Sequence, residues 1–267
     1  MRMKVLQVIN KKKNVLINDS QGCAFLKFRL TFSGSNVTKD SGGPLFYTIG
    51  ARYWERFMSL RYPRANNNTI IRVVIPIRHR AEDEVYIYSI ASNTSIETLM
   101  SGERFVKDTS TNKWIPCFIC TLYIPATSDP GSILRGLEIY VYSNKSTNTA
   151  NYGMEVFDEK GEPVFNSANY YIRAKDTYFK EFQPGQVDPS TFSESKSYDV
   201  TKLGVTIIRY TRAQLIGIDG NVVSMYPQSN FLGRKIEVKE DYNITHYIVS
   251  ELDQHKHFPV SVDLAEI

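Results

Sequence analysis

The chain writes one short pattern twice. Residues 6–19 read LQVINKKKNVLIND and residues 154–167 read MEVFDEKGEPVFNS, so Met154 follows Leu6 by 148 positions. At that spacing Leu6 matches Met154, Val8 matches Val156, Ile9 matches Phe157 and Asn10 matches Asp158. Lys12 then matches Lys160, Leu16 matches Val164, Ile17 matches Phe165 and Asn18 matches Asn166, without a gap. Apolar strand, polar turn, apolar strand is how a β-hairpin is written. Two hairpins at a fixed spacing commit both halves of the chain to sheet. The turns differ: Gly161 in the second copy faces Lys13 in the first, whose turn is expected to close through Asn10 or Asn14, residues that tolerate positive φ.

Composition agrees with sheet. There are 17 Tyr and 14 Phe against 2 Trp, and aromatic and β-branched residues favour pleated, half-buried surfaces. The 32 basic and 28 acidic residues leave a net charge of +4, too balanced to argue for nucleic acid. The run Lys11 to Lys13 falls at the first hairpin tip, where a solvated turn explains it, and Arg72, Arg78 and Arg80 are the other basic concentration. Three Cys, an odd number, fit a reducing compartment better than a disulfide framework. No apolar run at the start matches a secretory leader, and none approaches the ~20 residues of a membrane helix. The expectation is therefore folding in a cytosol. The triplets Asn36-Val37-Thr38 and Asn243-Ile244-Thr245 are then turn sequences rather than glycan acceptors.

Beyond the hairpins, alternation and turn residues predict strands at 24–32, 45–50, 69–77, 84–90, 114–124, 136–142, 204–210, 214–223 with a turn at Asp219-Gly220, 234–239 and 260–264. In the first of these, Leu26, Phe28, Leu30 and Phe32 form the apolar face that points to the core. Residues 33–44, 125–132 and 182–198 read as loops, 52–60 as a helical turn or a strand, and 93–103 as a loop or one short helix. The polar stretch 144–151 marks a boundary. The expected fold is mostly β: two β-sandwich-like domains, each opened by a similar β-hairpin, with an N-terminal β-sandwich domain at 1–149 and a C-terminal β domain at 150–267. The first hairpin is followed by a longer run of strands than the second. The shared part is accordingly expected to be the entry hairpin, with no need for the halves to share a whole fold.

Groups that carry chemistry are few. Cys117-Phe118-Ile119-Cys120 is a CxxC, but on a strand its sulfurs point to opposite faces, and no second pair completes a zinc site; buried structural cysteines are expected. His255 and His257, with Asp253 and His246 nearby, would share a face on a strand but supply too few ligands for a metal site, and a solvated turn is expected there. His79 has no evident acidic orienter. Glu82, Asp83 and Glu84 follow Arg78-His79-Arg80 and read as a charged hairpin tip, without the spacing of a calcium loop. No GxSxG, phosphate-binding glycine loop, GxGxxG or HExxH occurs. No catalytic, cofactor-binding or metal residue is assigned.

Residues 151–174, NYGMEVFDEKGEPVFNSANYYIRA, resemble a motif recurrent in small structural proteins of bacteriophage tails, which begin G-apolar-x-V-x-Asn/Asp-x-x-Gly-x-x-V-F-x-Ser. Gly153, Met154, Val156, Asp158, Gly161, Val164, Phe165 and Ser167 match that pattern; the N-terminal copy departs from it at Lys13. The resemblance implies a non-enzymatic virion structural protein of a tailed phage, of the distal tail or fibre-attachment region. Such a protein is assembled in the host cytoplasm and binds other tail proteins and copies of itself. The resemblance carries over no catalytic residue, cofactor, nucleic acid or membrane insertion. Strand 260–264 is the candidate for binding by edge-strand addition. One alternative is a carbohydrate- or receptor-binding β-sandwich module, with a host surface glycan stacked on Tyr side chains or Trp54. A second is a polysaccharide hydrolase, whose paired carboxylates sequence does not reveal.

Overall fold

The computed structural model describes residues 7–9, 15–18, 24–31, 37–39, 46–49, 53–55, 68–76, 84–108, 111–125, 129–145, 154–157, 161, 163–166, 170–182, 192–209, 214–227, 244–252 and 261–263. The chain is mostly β. Its first part runs β1 (Gln7–Ile9), β2 (Val15–Asn18), β3 (Phe25–Thr31), β4 (Val37–Lys39), β5 (Phe46–Ile49), β6 (Tyr53–Glu55), β7 (Asn68–Pro76), β8 (Tyr86–Ser92), β9 (Ile96–Asp108), β10 (Trp114–Pro125), helix α1 (Pro130–Gly136) and β11 (Leu137–Ser143). Its second part runs β12 (Glu155–Phe157), β13 (Pro163–Asn166), β14 (Ala174–Glu181), β15 (Glu194–Ser197), β16 (Leu203–Arg209), β17 (Gln214–Asp219), β18 (Val222–Pro227), β19 (Ile244–Glu251) and β20 (Ser261–Asp263).

The hairpins β1–β2 and β12–β13 share one register. Gln7 faces Asn18, Val8 faces Ile17 and Ile9 faces Val15. Glu155 faces Asn166, Val156 faces Phe165 and Phe157 faces Pro163. Each ladder is broken by a bulge at the same step, Val8/Ile9 in one and Val156/Phe157 in the other. The second turn holds Gly161 at φ 81°, a left-handed conformation that a Cβ disfavours. Lys13 lies outside the described residues.

The repetition does not stop at the hairpins, which corrects the expectation of a shared entry hairpin alone. In the seven-stranded sheet β3, β11 and β8 are consecutive neighbours, and so are β14, β19 and β16. In the nine-stranded sheet the same holds of β7, β10 and β9, and of β15, β18 and β17. Taken in chain order, the six strands of one set occupy the places of the six in the other. Even a defect repeats. Val141 pairs with Phe28 and Tyr142 with Leu26, skipping Lys27; Val249 pairs with Asp176 and Ser250 with Ala174, skipping Lys175. The bulged lysines keep the 148-residue spacing of the hairpins. The two units meet like strand on like strand, β8 against β16 and β9 against β17, both antiparallel. An approximate two-fold relation follows.

Additions to this common plan cluster on the first unit. β5 runs parallel on β7 with β4 beyond it, and β20 runs parallel on β3. By pairing, the last strand thus joins the first unit. Helix α1 fills the predicted turn after β10. Asp129 caps it by accepting from the Gly131 and Ser132 amides, and Pro130 begins it, the usual chemistry of a helix start.

One face of the seven-stranded sheet packs on the nine-stranded sheet. Leu30, Ile90, Ile139, Val205 and Val249 meet Val73, Phe118, Ile96, Ile218 and Val223 in one core. The other face is buried as well, by Leu26, Ala91, Tyr140, Tyr142 and Leu252. The reason is curvature. The sheet bends until the lead-in to β14 reaches β3: the Leu26 amide donates to the Tyr170 carbonyl at 2.7 Å and the Ile172 amide to the Ala24 carbonyl at 3.2 Å. The one-faced core expected for β3 is corrected accordingly. Phe25 and Leu26 are both buried, and Lys27 and Arg29 are half-buried with carboxylates to meet them. Glu84 accepts from Lys27 and from the Ser143 hydroxyl, both at 2.5 Å. Glu138 accepts from Lys202 and from the Tyr140 hydroxyl, and Arg29 lies 3.9 Å away.

Residues 93–103, expected as a loop or short helix, belong largely to β9; β6 falls within 52–60 and β15 within 182–198. β14 and β19 are strands that alternation had not marked. The expected strand 234–239 lies outside the described residues.

Candidate interaction surface

The sequence of β14, AKDTYFKE, has no apolar run, yet alternation sorts it cleanly. Asp176, Tyr178 and Lys180 are half-buried; Lys175, Thr177, Phe179 and Glu181 are exposed. The inward set reaches across to β15 in the other sheet. The Tyr178 ring stacks on Tyr247 at 4.8 Å between centroids, and its hydroxyl donates to Glu194 at 2.7 Å. Asp176 accepts from Lys196 at 2.6 Å and from the Tyr198 hydroxyl at 3.0 Å. The Lys180 ammonium lies over the Phe192 ring at 4.8 Å, a cation–π contact.

These contacts set the local electrostatics. The Lys196 hydrogen bond, helped by Tyr198, holds the Asp176 carboxyl below the usual range. Burial first, then the Glu194 and Asp176 carboxylates they donate to, push the Tyr178 and Tyr198 phenols upward. At neutral pH Tyr178 and Tyr198 are therefore neutral phenol donors and Asp176 is an ionised acceptor, which suits fixed hydrogen bonds rather than proton transfer.

What distinguishes this side is its edges. β14 ends the seven-stranded sheet and β15 ends the nine-stranded sheet, and among the described residues no strand pairs with the outer edge of either. Every residue of β15 is exposed. The equivalent strands of the first unit are covered, β3 by β20 and β7 by β5. An uncovered strand presents a row of backbone donors and acceptors to any extended partner.

The groups singled out from sequence do not assemble elsewhere. Cys117 and Cys120 are buried free thiols on β10. Cys120 lies in the main core 3.9 Å from the Thr98 hydroxyl, and burial pushes its thiol up to about 12, far from a reactive thiolate. His246 lies on β19 against the Phe179 ring. Glu84, itself buried, pairs with the half-buried Lys27 rather than forming a cation site. His79, Arg78, Arg80, Glu82, Asp83, Asp253, His255 and His257 lie outside the described residues, as does the side chain of Trp54. Among the described residues no three His, Cys, Asp or Glu are placed to hold a metal, and no helix is long and apolar enough to cross a membrane. The open side escaped sequence reading because 182–198 reads as loop. β14 gave no signal either, since it alternates in burial and not in apolar against polar residue types. Strand 260–264, the sequence's edge candidate, contributes β20, paired on one side with β3.

One further carboxyl is perturbed. Glu97 stands on β9 opposite Gly217, where the two units join. Its Oε2 is buried without a hydrogen-bond partner among the described residues, and burial raises its pKa to about 7.

Compared with known proteins, the chain matches no family model, no curated protein and no solved structure.

Proposed function

We propose that this chain is a structural assembly protein, without catalytic activity, that holds neighbouring subunits through the open side of its second unit. The observation that supports this reading is the contrast between equivalent edges. β3 and β7 are covered by extra strands, whereas β14 and β15 have none among the described residues. Strand edges of this kind bind by main-chain hydrogen bonds, and the cross-sheet contacts of Tyr178, Glu194, Asp176 and Lys196 hold the two edges side by side. The setting we propose is the distal tail of a bacteriophage, with other tail proteins as neighbours. It rests on the match of Gly153, Met154, Val156, Asp158, Gly161, Val164, Phe165 and Ser167 to the tail-protein hairpin.

The test is association and assembly. The purified chain is expected to capture tail components from the particle that carries it. Particles made without it are expected to have incomplete tails. Normal assembly and infection in its absence, with no association in solution, would overturn the reading.

A further inference from the structure

We propose that β14 pairs antiparallel with β14 of a second copy of this chain, about a two-fold axis at Tyr178. This names the occupant of the open side and rests on reading that side as an interaction surface. The argument is charge complementarity. Antiparallel pairing centred on Tyr178 sets Lys175 opposite Glu181 of the partner, Asp176 opposite Lys180, and Thr177 opposite Phe179. Every charged residue of the strand then faces its opposite, twice over by symmetry. Opposed residues share a face of the sheet, so Lys175 and Glu181 meet on the exposed face. Asp176 and Lys180 meet on the inner one. Lysines on an exposed edge ordinarily guard it against pairing. A guarded edge repels itself, whereas this one is self-complementary, which is the condition for an isologous contact.

β15 repeats the logic beside it. Pairing β15 with its copy about Ser195 opposes Glu194 to Lys196. Tyr178 and Asp176 of β14 already touch Glu194 and Lys196 of β15, so the two candidate centres lie side by side. One axis can serve both sheets. Phe179, 59% exposed, would be covered, removing one of the largest exposed apolar side chains.

The test uses the full chain and reads its mass across a concentration series by light scattering and sedimentation. The native chain is expected to dimerise. Lys175→Glu and Glu181→Lys each turn two attractive contacts into repulsive ones. Each is expected to weaken the dimer about tenfold, from two cross-strand charge pairs reversed. Both positions are exposed, so each variant should keep the native circular dichroism and melting. The double variant Lys175→Glu/Glu181→Lys restores both contacts and should dimerise as the native chain does. Mixing the two single variants should give heterodimers, because every reversed charge then meets its opposite. A chain monomeric at all concentrations overturns the proposal, and if it still captures tail components the assembly reading stands without it. A dimer indifferent to the single reversals, or not restored in the double variant and the mixture, overturns it too.

Discussion

The two units place different chemistry at equivalent points. Leu30 of β3 and Ile139 of β11 face one another in the first unit and are fully buried. Their counterparts in the second unit, by the spacing of the hairpins and by strand register, are Tyr178 of β14 and Tyr247 of β19, which also face one another. One pair closes an apolar core beneath covered edges. The other stacks ring on ring and sends a hydroxyl to a carboxylate at an open edge. One backbone plan therefore tolerates either a dry or a hydrogen-bonded layer. What decides between them is whether an outer strand excludes water: β20 covers β3, and no described strand covers β14. Tyrosine suits the uncovered case, because its ring packs while its hydroxyl stays satisfied.

Exchanging these layers tests the contrast. Leu30→Tyr forces a larger side chain and an unpaired hydroxyl into the dry core, and is expected to cost about 3 kcal/mol. The reverse change, Tyr178→Leu, gives up one hydrogen bond and one stacked pair at a wetter site and should cost about 1 kcal/mol. Denaturant titration of both would break the comparison if the two costs came out equal.

An effect smaller than that of Leu30→Tyr is expected at Gly204, whose counterpart by strand register is Ile87. A Cβ at Gly204 would stand 2.4 Å from the Ser89 hydroxyl and 2.8 Å from Leu252. Gly204→Ala should therefore cost about 2 kcal/mol, seen as a lowered melting temperature. Removing the hydroxyl by Ser89→Ala should relieve part of that cost.

Glu97 links the units and should make stability depend on pH. Its folded pKa of about 7 exceeds the ordinary 4.5, so the folded state holds a proton that the unfolded state loses first. Stability is full below about pH 4.5 and declines as pH rises through about 7. Allowing for partial exposure, we expect a decline of about 1–2 kcal/mol. Glu97→Gln should flatten that slope, and an unchanged slope in pH-dependent melting would refute the assignment.

The smallest effect belongs to the open side. Lys196→Ala removes one half-exposed partner of Asp176 and should cost under about 1 kcal/mol. Because Asp176 is held low, what the pair contributes is present above the ordinary aspartate range and is lost as pH falls through the depressed value. Salt should reduce it further. A loss as large as that of Leu30→Tyr would mean the open side is as integral as the core.

The hairpins were readable because a tight turn and two short apolar strands are local information, and β7, β8, β10, β11, β16 and β17 were readable for similar reasons; of β18 only the start, to Val223, fell within an expected strand. β14 was not, because an uncovered strand has little apolar surface to show, and the charges of AKDTYFKE mask its period of two. β19 was missed although Thr245, Tyr247 and Val249 alternate inward. β9 mixes Glu97, Ser101, Gly102 and Glu103 among its apolar residues, so its 13 residues imitate a loop. The duplication itself fades from sequence beyond the hairpins. Leu30 against Tyr178 shows why: equivalent positions keep their register and bulges while their chemistry follows the water. The open side was invisible for the same reason, since an edge is defined by what fails to pair with it.

The closure of the seven-stranded sheet also bears on the order in which the chain can be finished on a ribosome. β3 emerges early, yet its outer edge is completed by residues 170–172 and by β20 at 261–263. The first unit is thus sealed only after the second has been made. Until β20 leaves the exit tunnel, that part of the β3 edge is unpaired, and ladders that must wait for distant sequence form slowly. A nascent chain stalled before residue 261 would expose on its first unit the kind of edge that no described strand covers on its second.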